Sequence, residues 1–416
     1  MITREQIHEL AQFEDSDSCA ISFYFHSRTP RNKAHKEEAI HTKDLMREAL
    51  RQLESSGIHK GKVEGARADL DRILHMSEEF RGNGVHVKGV FACAAQGFWR
   101  EYDLPPQLGG TQLNVSRHFQ LRPLAQLLGA FPRLGVVLLD RYRARLFDLR
   151  LGELTEREDF FHPKPRRGRG DGFAGYDGGH AERRVADEAR QHFKRMAEVI
   201  KDSLEKGIFE KWILGCLETH WPQFEGQLYP LVAQKLLGRF SADVAHVSRE
   251  EIRTQAERIF AASQEKRCRE IFRETLDQAG ANARGVTGLR RVLRSLELGE
   301  VQTLLVAQNY HAQAVECSGC GHLDAHLVTL CPVCGRQTRE VVDVGEAILP
   351  WVIRHDIELF YVKDDAEFDK VGNIAALLRF RSAQNNNIRS ITDVPPNPSV
   401  SRQTNRVGRY RGLASG

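Results

Sequence analysis

No apolar run in this 416-residue sequence approaches the roughly 18–20 residues that a membrane-crossing helix needs. The opening stretch, MITREQIHELAQFEDSDSC, has no apolar core and carries acids early, so it does not read as a secretory leader. No unit recurs at a fixed period of about 20–50 residues, which argues against a solenoid or a propeller. A Walker-type glycine loop, a helix with two histidines at zinc-ligand spacing and a Ser–His–Asp order are all missing. These absences lead to the expectation of a soluble cytoplasmic protein with no membrane partner.

Charge of one sign is also scarce, except at one end. The net charge is +4, and all of it resides in residues 384–416, where Arg389, Arg402, Arg406, Arg409 and Arg411 face a single acid, Asp393. That segment is rich in Asn, Ser and Pro and lacks apolar periodicity, so it reads as a basic disordered tail. Such tails either contact nucleic acid or aid solubility, and composition does not choose between them. Elsewhere the sequence has ordinary globular composition, 41% hydrophobic and 28% charged, which excludes wholesale disorder. Its length predicts two to four domains at about 100–200 residues each.

Residues 1–130 read as a compact α/β unit. Ile21–Phe25 is a strand by its aromatic and β-branched content, and residues 36–53 and 62–80 show helical spacing. After the Gly82-Asn83-Gly84 turn, strands are expected at Val85–Cys93 and Gly97–Leu104. A second unit, 131–280, opens with a hairpin of Gly135–Asp140 and Ala144–Arg150. It continues with a long helix ended by Gly207, a core strand at Phe209–Leu217 and a charged helix at Arg249–Gln278. A third, 281–383, holds a helix ended by Gly299, the strand VQTLLVAQ, a cysteine insert at 315–336, a helix near Val344–His355 and the strand IELFYV. Alternating strands and helices in all three units predict α/β layers.

Two constellations could carry chemistry. Cys317-x2-Cys320-x10-Cys331-x2-Cys334 forms two CxxC knuckles, each able to grip one edge of a tetrahedral Zn²⁺, with Gly321 and Gly335 permitting the turns. Four thiolates leave no open position, so the expectation is a closed structural site with one zinc per chain, redox cysteines being the other reading. Cys19, Cys93, Cys216 and Cys268 read as filler positions. The second constellation is PKPRRGRGDGFAGYDGGH, residues 163–180, with glycine at six of its eighteen positions. Its glycines let backbone approach a ligand and Arg166, Arg167 and Arg169 offer phosphate contacts, while Gly178-Gly179-His180 stands at the foot of a helix. A solvated surface loop would have the same composition. Asp140, Asp171 and Asp177 read first as turn residues. Arg28, Arg31, Lys33 and Lys36 form a smaller basic group, offset by Glu37 and Glu38.

In order, these pieces resemble the class-1 translation termination factors of archaea and eukaryotes, with their relatives Pelota and the bacterial members of the superfamily. GVTGLRRVLRSLELGEVQTLLVAQ and ILPWVIRHDIELFYVKDDAEFDKVGNIAALLRFR are similar to the family's closing unit, including its terminal "GGIAALLRYR" at Gly372–Arg381. GVVLLDRYRARLFDLRLGEL resembles the opening hairpin of the family's central domain. The cysteine ribbon falls where archaeal members insert one. Gly178, Gly179 and His180 occupy the place of the family's Gly-Gly-Gln, and Asn32 and Lys33 are reminiscent of its stop-codon-reading "NIKS" helix start.

The resemblance implies a three-domain α/β (α+β) architecture: a decoding-centre-like domain, a central mixed sheet with long helices, and a ribosomal-protein-like C-terminal domain carrying a zinc ribbon. It also implies a tRNA-mimicking factor of the ribosomal A site, monomeric off the ribosome, with a translational GTPase as a further partner. RNA contacts would fall to Arg166, Arg167, Arg169, Asn32, Lys33 and Lys36. Because histidine replaces the glutamine, the nearer analogue is a non-catalytic factor of the Balon-type hibernation class. The alternative is a peptidyl-tRNA hydrolase using the Gly178-Gly179-His180 loop, and a third reading is an RNA-binding scaffold away from ribosomes.

Overall fold

The computed structural model describes residues 2–15, 19–27, 36–55, 59–79, 87–105, 108, 110–130, 133–150, 152–161, 178–363 and 365–382. The first segment contains α1 (Arg4–Gln12), β1 (Ala20–His26), α2 (Lys36–Ser55), α3 (Lys60–Glu79), β2 (Val87–Cys93), β3 (Phe98–Leu104), β4 (Gln112–Ser116) and α4 (Arg122–Ala130). Its strands form an antiparallel sheet in the order β3-β2-β1-β4. Successive β1 side chains alternate between two cores. Ile21, Phe23 and Phe25 pack with Met46, Leu53, Leu70 and Ile73 of α2 and α3, while Tyr24 packs with Phe91, Phe119 and α1. A strand covered on both faces must be apolar throughout, which is why this one was legible as a continuous run.

The middle segment comprises β5 (Leu134–Leu139), β6 (Arg143–Arg150), β7 (Glu153–Phe161), α5 (Gly178–Glu205), β8 (Lys211–Gly215), α6 (Trp221–Glu225), α7 (Pro230–Gln234), β9 (Leu236–Phe240) and α8 (Arg249–Gly280). The sheet is mixed, in the order β7-β6-β5-β8-β9, with β5, β8 and β9 parallel and the β5–β6–β7 meander antiparallel. Val137 and Leu139 face Phe193, Met196 and Ile200 of α5, whereas Val136 and Leu138 face Ile252, Ala256 and Phe260 of α8. The core strand expected over 209–217 is confined to Lys211–Gly215.

The last segment holds β10 (Gly285–Thr287), α9 (Leu289–Glu297), β11 (Val301–Ala307), β12 (Ala314–Cys317), β13 (Leu323–Asp324), β14 (Thr338–Val341), α10 (Val344–Ala347), α11 (Leu349–Arg354), β15 (Glu358–Val362), α12 (Ala366–Lys370) and β16 (Ile374–Leu378). A mixed sheet, β10-β16-β11-β15, carries the core, and β13-β12-β14 is a separate ribbon. The single helix expected near 344–355 is two short ones, α10 and α11, meeting at Ile348. Pro350 sits in the first turn of α11, where its missing N–H is tolerated but a continuous helix through it is not.

Helix α8 joins two of these sheets. Its 32 residues extend about 48 Å at 1.5 Å per residue. Ile252, Ala256, Ile259 and Phe260 lie on the middle sheet, and Cys268, Ile271, Phe272 and Leu276 on the last. At 100° per residue the two stripes point roughly 150° apart, so one rod covers two sheets on different sides. The first and last segments also touch, because Leu349 and Ile353 of α11 complete the core beside α1 and α4. Among the described residues no helix is long and apolar enough to cross a membrane.

Candidate functional site

The four cysteines predicted as ligands come together. Their sulfur atoms all lie within 4.8 Å of one another, with Cys317 Sγ 3.3 Å from Cys334 Sγ and Cys320 Sγ 3.7 Å from Cys331 Sγ. A tetrahedral ion with Zn–S bonds of about 2.3 Å requires sulfurs about 3.8 Å apart, so the donor set fits such an ion with shifts of up to about 1 Å. Each knuckle is built alike. Gly319 and Cys320 donate backbone N–H bonds to Cys317 Sγ, and Val333 donates to Cys331 Sγ. Gly321 and Gly335 then turn the chain away at φ +71° and +73°, in the left-handed region that favours glycine. The N–H groups of Cys320 and Gly319 hold the Cys317 thiol down to about 6, favouring the thiolate that binds metal. Cys317 and Cys331 are buried and Cys320 and Cys334 exposed, so the centre sits at the surface of the ribbon.

In the middle segment, Gly178, Gly179 and His180 form the first turn of α5. The first buried side chain described along that helix is Ala189, about 16 Å further on at 1.5 Å per residue. Between them, Arg183, Ala186 and Asp187 are exposed. The predicted RNA contacts Arg166, Arg167, Arg169, Asn32 and Lys33 lie outside the described residues, as do Asp171 and Asp177, the Gly82–Gly84 turn and the tail 384–416. Lys36 opens α2. Asp140 is a turn residue as expected, accepting from the N–H groups of Tyr142 and Arg143 at 2.6 and 2.7 Å. Cys93 ends β2, Cys19 and Cys216 flank β1 and β8, and all three are buried, consistent with filler roles.

The structure brings together a set of charged groups that no local motif announced. Glu316, the residue before ligand Cys317, is buried and bonded by Arg339 at 2.6 Å, with Arg117 and His118 of the first segment each at 3.7 Å. Burial pushes its carboxyl up, but His118, Arg339 and Arg117 outweigh that and hold it down to about 2. Further along, Asp343 accepts from Arg122 at 2.8 Å, and Glu346 accepts from the backbone N–H groups of Leu121 and Arg122. Glu346 therefore caps the start of α4 from another segment of the chain. Burial drives its carboxyl up to about 7 despite those bonds and the nearby Arg122. The one signal in the sequence was the placement of two acids inside the apolar stretch VVDVGEAILP.

The described residues thus form a mixed α/β fold, with a central mixed sheet flanked by long helices and a ribbon-bearing last segment. The chain is 24% identical over 297 residues to peptide chain release factor subunit 1 of Thermococcus onnurineus, a match covering 63% of this chain and 70% of the relative. It is 25% identical over 313 residues to the same protein of Pyrococcus abyssi, covering 67% and 74%. Among solved structures, Archaeoglobus fulgidus Pelota aligns at 12% identity with a TM-score of 0.33, over 91% of this chain and 93% of that one. Residues 120–261, about a third of the chain, match the model of bacterial archaeo-eukaryotic release factor family 10.

Proposed function

We propose that the protein is a ribosome-binding factor that occupies the A site of idle or stalled ribosomes without hydrolysing peptidyl-tRNA. The observation that carries this reading is Gly178-Gly179-His180 at the start of α5, within the segment that matches the release factor family. The superfamily's termination factors place a glutamine at that third position to position water on the peptidyl-tRNA ester. A glutamine amide offers a donor and an acceptor on a flexible stem, and neutral imidazole offers one of each at a different reach. Residues 1–130 would lie at the decoding centre, 131–280 would reach toward the tRNA acceptor end, and 281–383 would face a translational GTPase. Arg166, Arg167 and Arg169, with Asn32, Lys33 and Lys36, would supply phosphate contacts that carry no sequence information.

Peptide release from ribosomes loaded with peptidyl-tRNA tests the non-catalytic reading. The expected result is no release above buffer for the wild type, Gly179→Ala and His180→Ala, with ribosome binding measured in the same samples. Release by the wild type that is lost in His180→Ala would instead establish the hydrolytic alternative, in which the backbone N–H at position 180 serves the oxyanion.

We infer that the cysteine centre holds zinc in a structural role, since four sulfur donors in a closed tetrahedral set leave no position for a substrate. Elemental analysis should find one zinc per chain. Cys317→Ser should lose the metal and lower the melting temperature while the far-ultraviolet dichroism of the remaining sheets persists. Full metal content in Cys317→Ser would contradict the ligand assignment.

A further inference from the structure

We propose that the metal centre also governs how the first segment docks on the last, acting through Glu316 and the register of the ribbon strands. The proposal rests on the reading of the four cysteines as a metal site. Both stems of the ribbon run into the seam between the segments. On the entering stem, Glu316 immediately precedes Cys317, and across from it in the β12–β14 pairing stands Arg339. Glu316 reaches out of the ribbon to Arg117 and His118, and Arg117 is in turn paired with Glu14, just beyond α1. On the exit stem, β14 ends at Val341, two residues before Asp343, which binds Arg122, and five before Glu346, which caps α4.

A β pairing shifted by one residue turns every side chain to the opposite face. The pairing of β12 with β14 is only four residues long, Ala314↔Val341 through Cys317↔Thr338, too short to fix its own register by strand contacts. The cysteines supply that constraint. Cys317 ends β12 and Cys331 and Cys334 precede β14, so an ion held by all four locks the two stems against each other. With the stems locked, Glu316, Asp343 and Glu346 present a fixed row of carboxylates to Arg117, Arg122 and the N-terminus of α4. Without the ion the row loses its alignment, which leaves the apolar contacts of Leu349, Ile353 and Leu359 with the first core and the Arg4–Asp356 pair to hold the seam.

Hydrogen–deuterium exchange of the full chain, read by mass spectrometry, tests this with and without zinc, after metal content has been measured. Stripping the ion with a chelator and a thiol-directed reagent should accelerate exchange at least tenfold in peptides covering 2–15 and 110–130, as well as in the ribbon itself. Added Zn²⁺ should restore protection once the thiols are freed. Deprotection confined to 312–341 would overturn the proposal, and a protein that binds no metal as purified would overturn both it and the metal reading. Glu316→Ala supplies the second test, because it retains all four cysteines. It should keep one zinc per chain yet lose protection over 2–15 and 110–130, and wild-type protection there would contradict the proposal.

Discussion

At the scale of single residues, Glu346 is the group whose surroundings make the sharpest demand. Its carboxyl is buried between two segments and raised from 4.5 to about 7. An acid raised on folding binds more protons in the folded than in the unfolded state between those two values. Its contribution is therefore fully favourable below about 4.5 and is lost as the pH rises toward 7, by at most about 3.5 kcal/mol at ~1.4 kcal/mol per pKa unit. Glu346→Gln retains an acceptor for the Leu121 and Arg122 N–H groups and removes the titration. Urea midpoints measured from about pH 5 to 7 should then decline less steeply for the variant than for the wild type. Parallel curves would show that Glu346 does not titrate with folding. The charged and titratable groups facing it (Arg122, Asp343, Tyr361 and Tyr24) are common to both proteins.

The residue scale also separates what the sequence could reveal from what it could not. The cysteines were legible because ligand spacing is a local code: three residues set each knuckle. Arg122, Asp343 and Glu346 were not, since their partners lie 221 to 225 positions away and no periodicity connects them.

At the scale of elements, the same divide follows burial. Strands β1 and β5 are covered on both faces and announce themselves as unbroken apolar runs. Strands β4, β7 and β9 lie at sheet edges, and their sequences QLNVS, ELTEREDFF and LLGRF are not evident as strands from their own pattern. Their conformation comes from the neighbour's hydrogen bonds as much as from their residues. Helix α1 is short and was not read from the sequence, although Thr3 and Gln6 form a capping box and Ile7, Leu10 and Ala11 a buried stripe. Helix α8 was legible as a helix but not as a bridge, because its two apolar stripes cancel when averaged along its length. That bridge gives a prediction. Ala262 is exposed between the stripes, so Ala262→Pro removes one helical bond without touching either core. It should cost about 3 kcal/mol and split thermal unfolding into two calorimetric transitions, one for each sheet. A single transition at the wild-type temperature would mean that the two sheets are not coupled through α8.

At the scale of the whole molecule, the last segment is the hub. Helix α8 fastens it to the middle sheet, and the carboxylates beside the ribbon fasten it to the first. The start of α5, with Gly178-Gly179-His180, stands about 16 Å of helix away from the first buried residue described on that helix. A factor that reads nothing but phosphate and shape from the ribosome should bind through released counterions, and so weaken steeply with salt.

Co-sedimentation with purified ribosomes, with the A site either vacant or filled by tRNA, tests the proposed function most directly. The account predicts that the protein pellets with vacant ribosomes at low salt, dissociates as salt is raised and is displaced by A-site tRNA. Failure to pellet at low salt, or pelleting indifferent to tRNA in the A site, would contradict it.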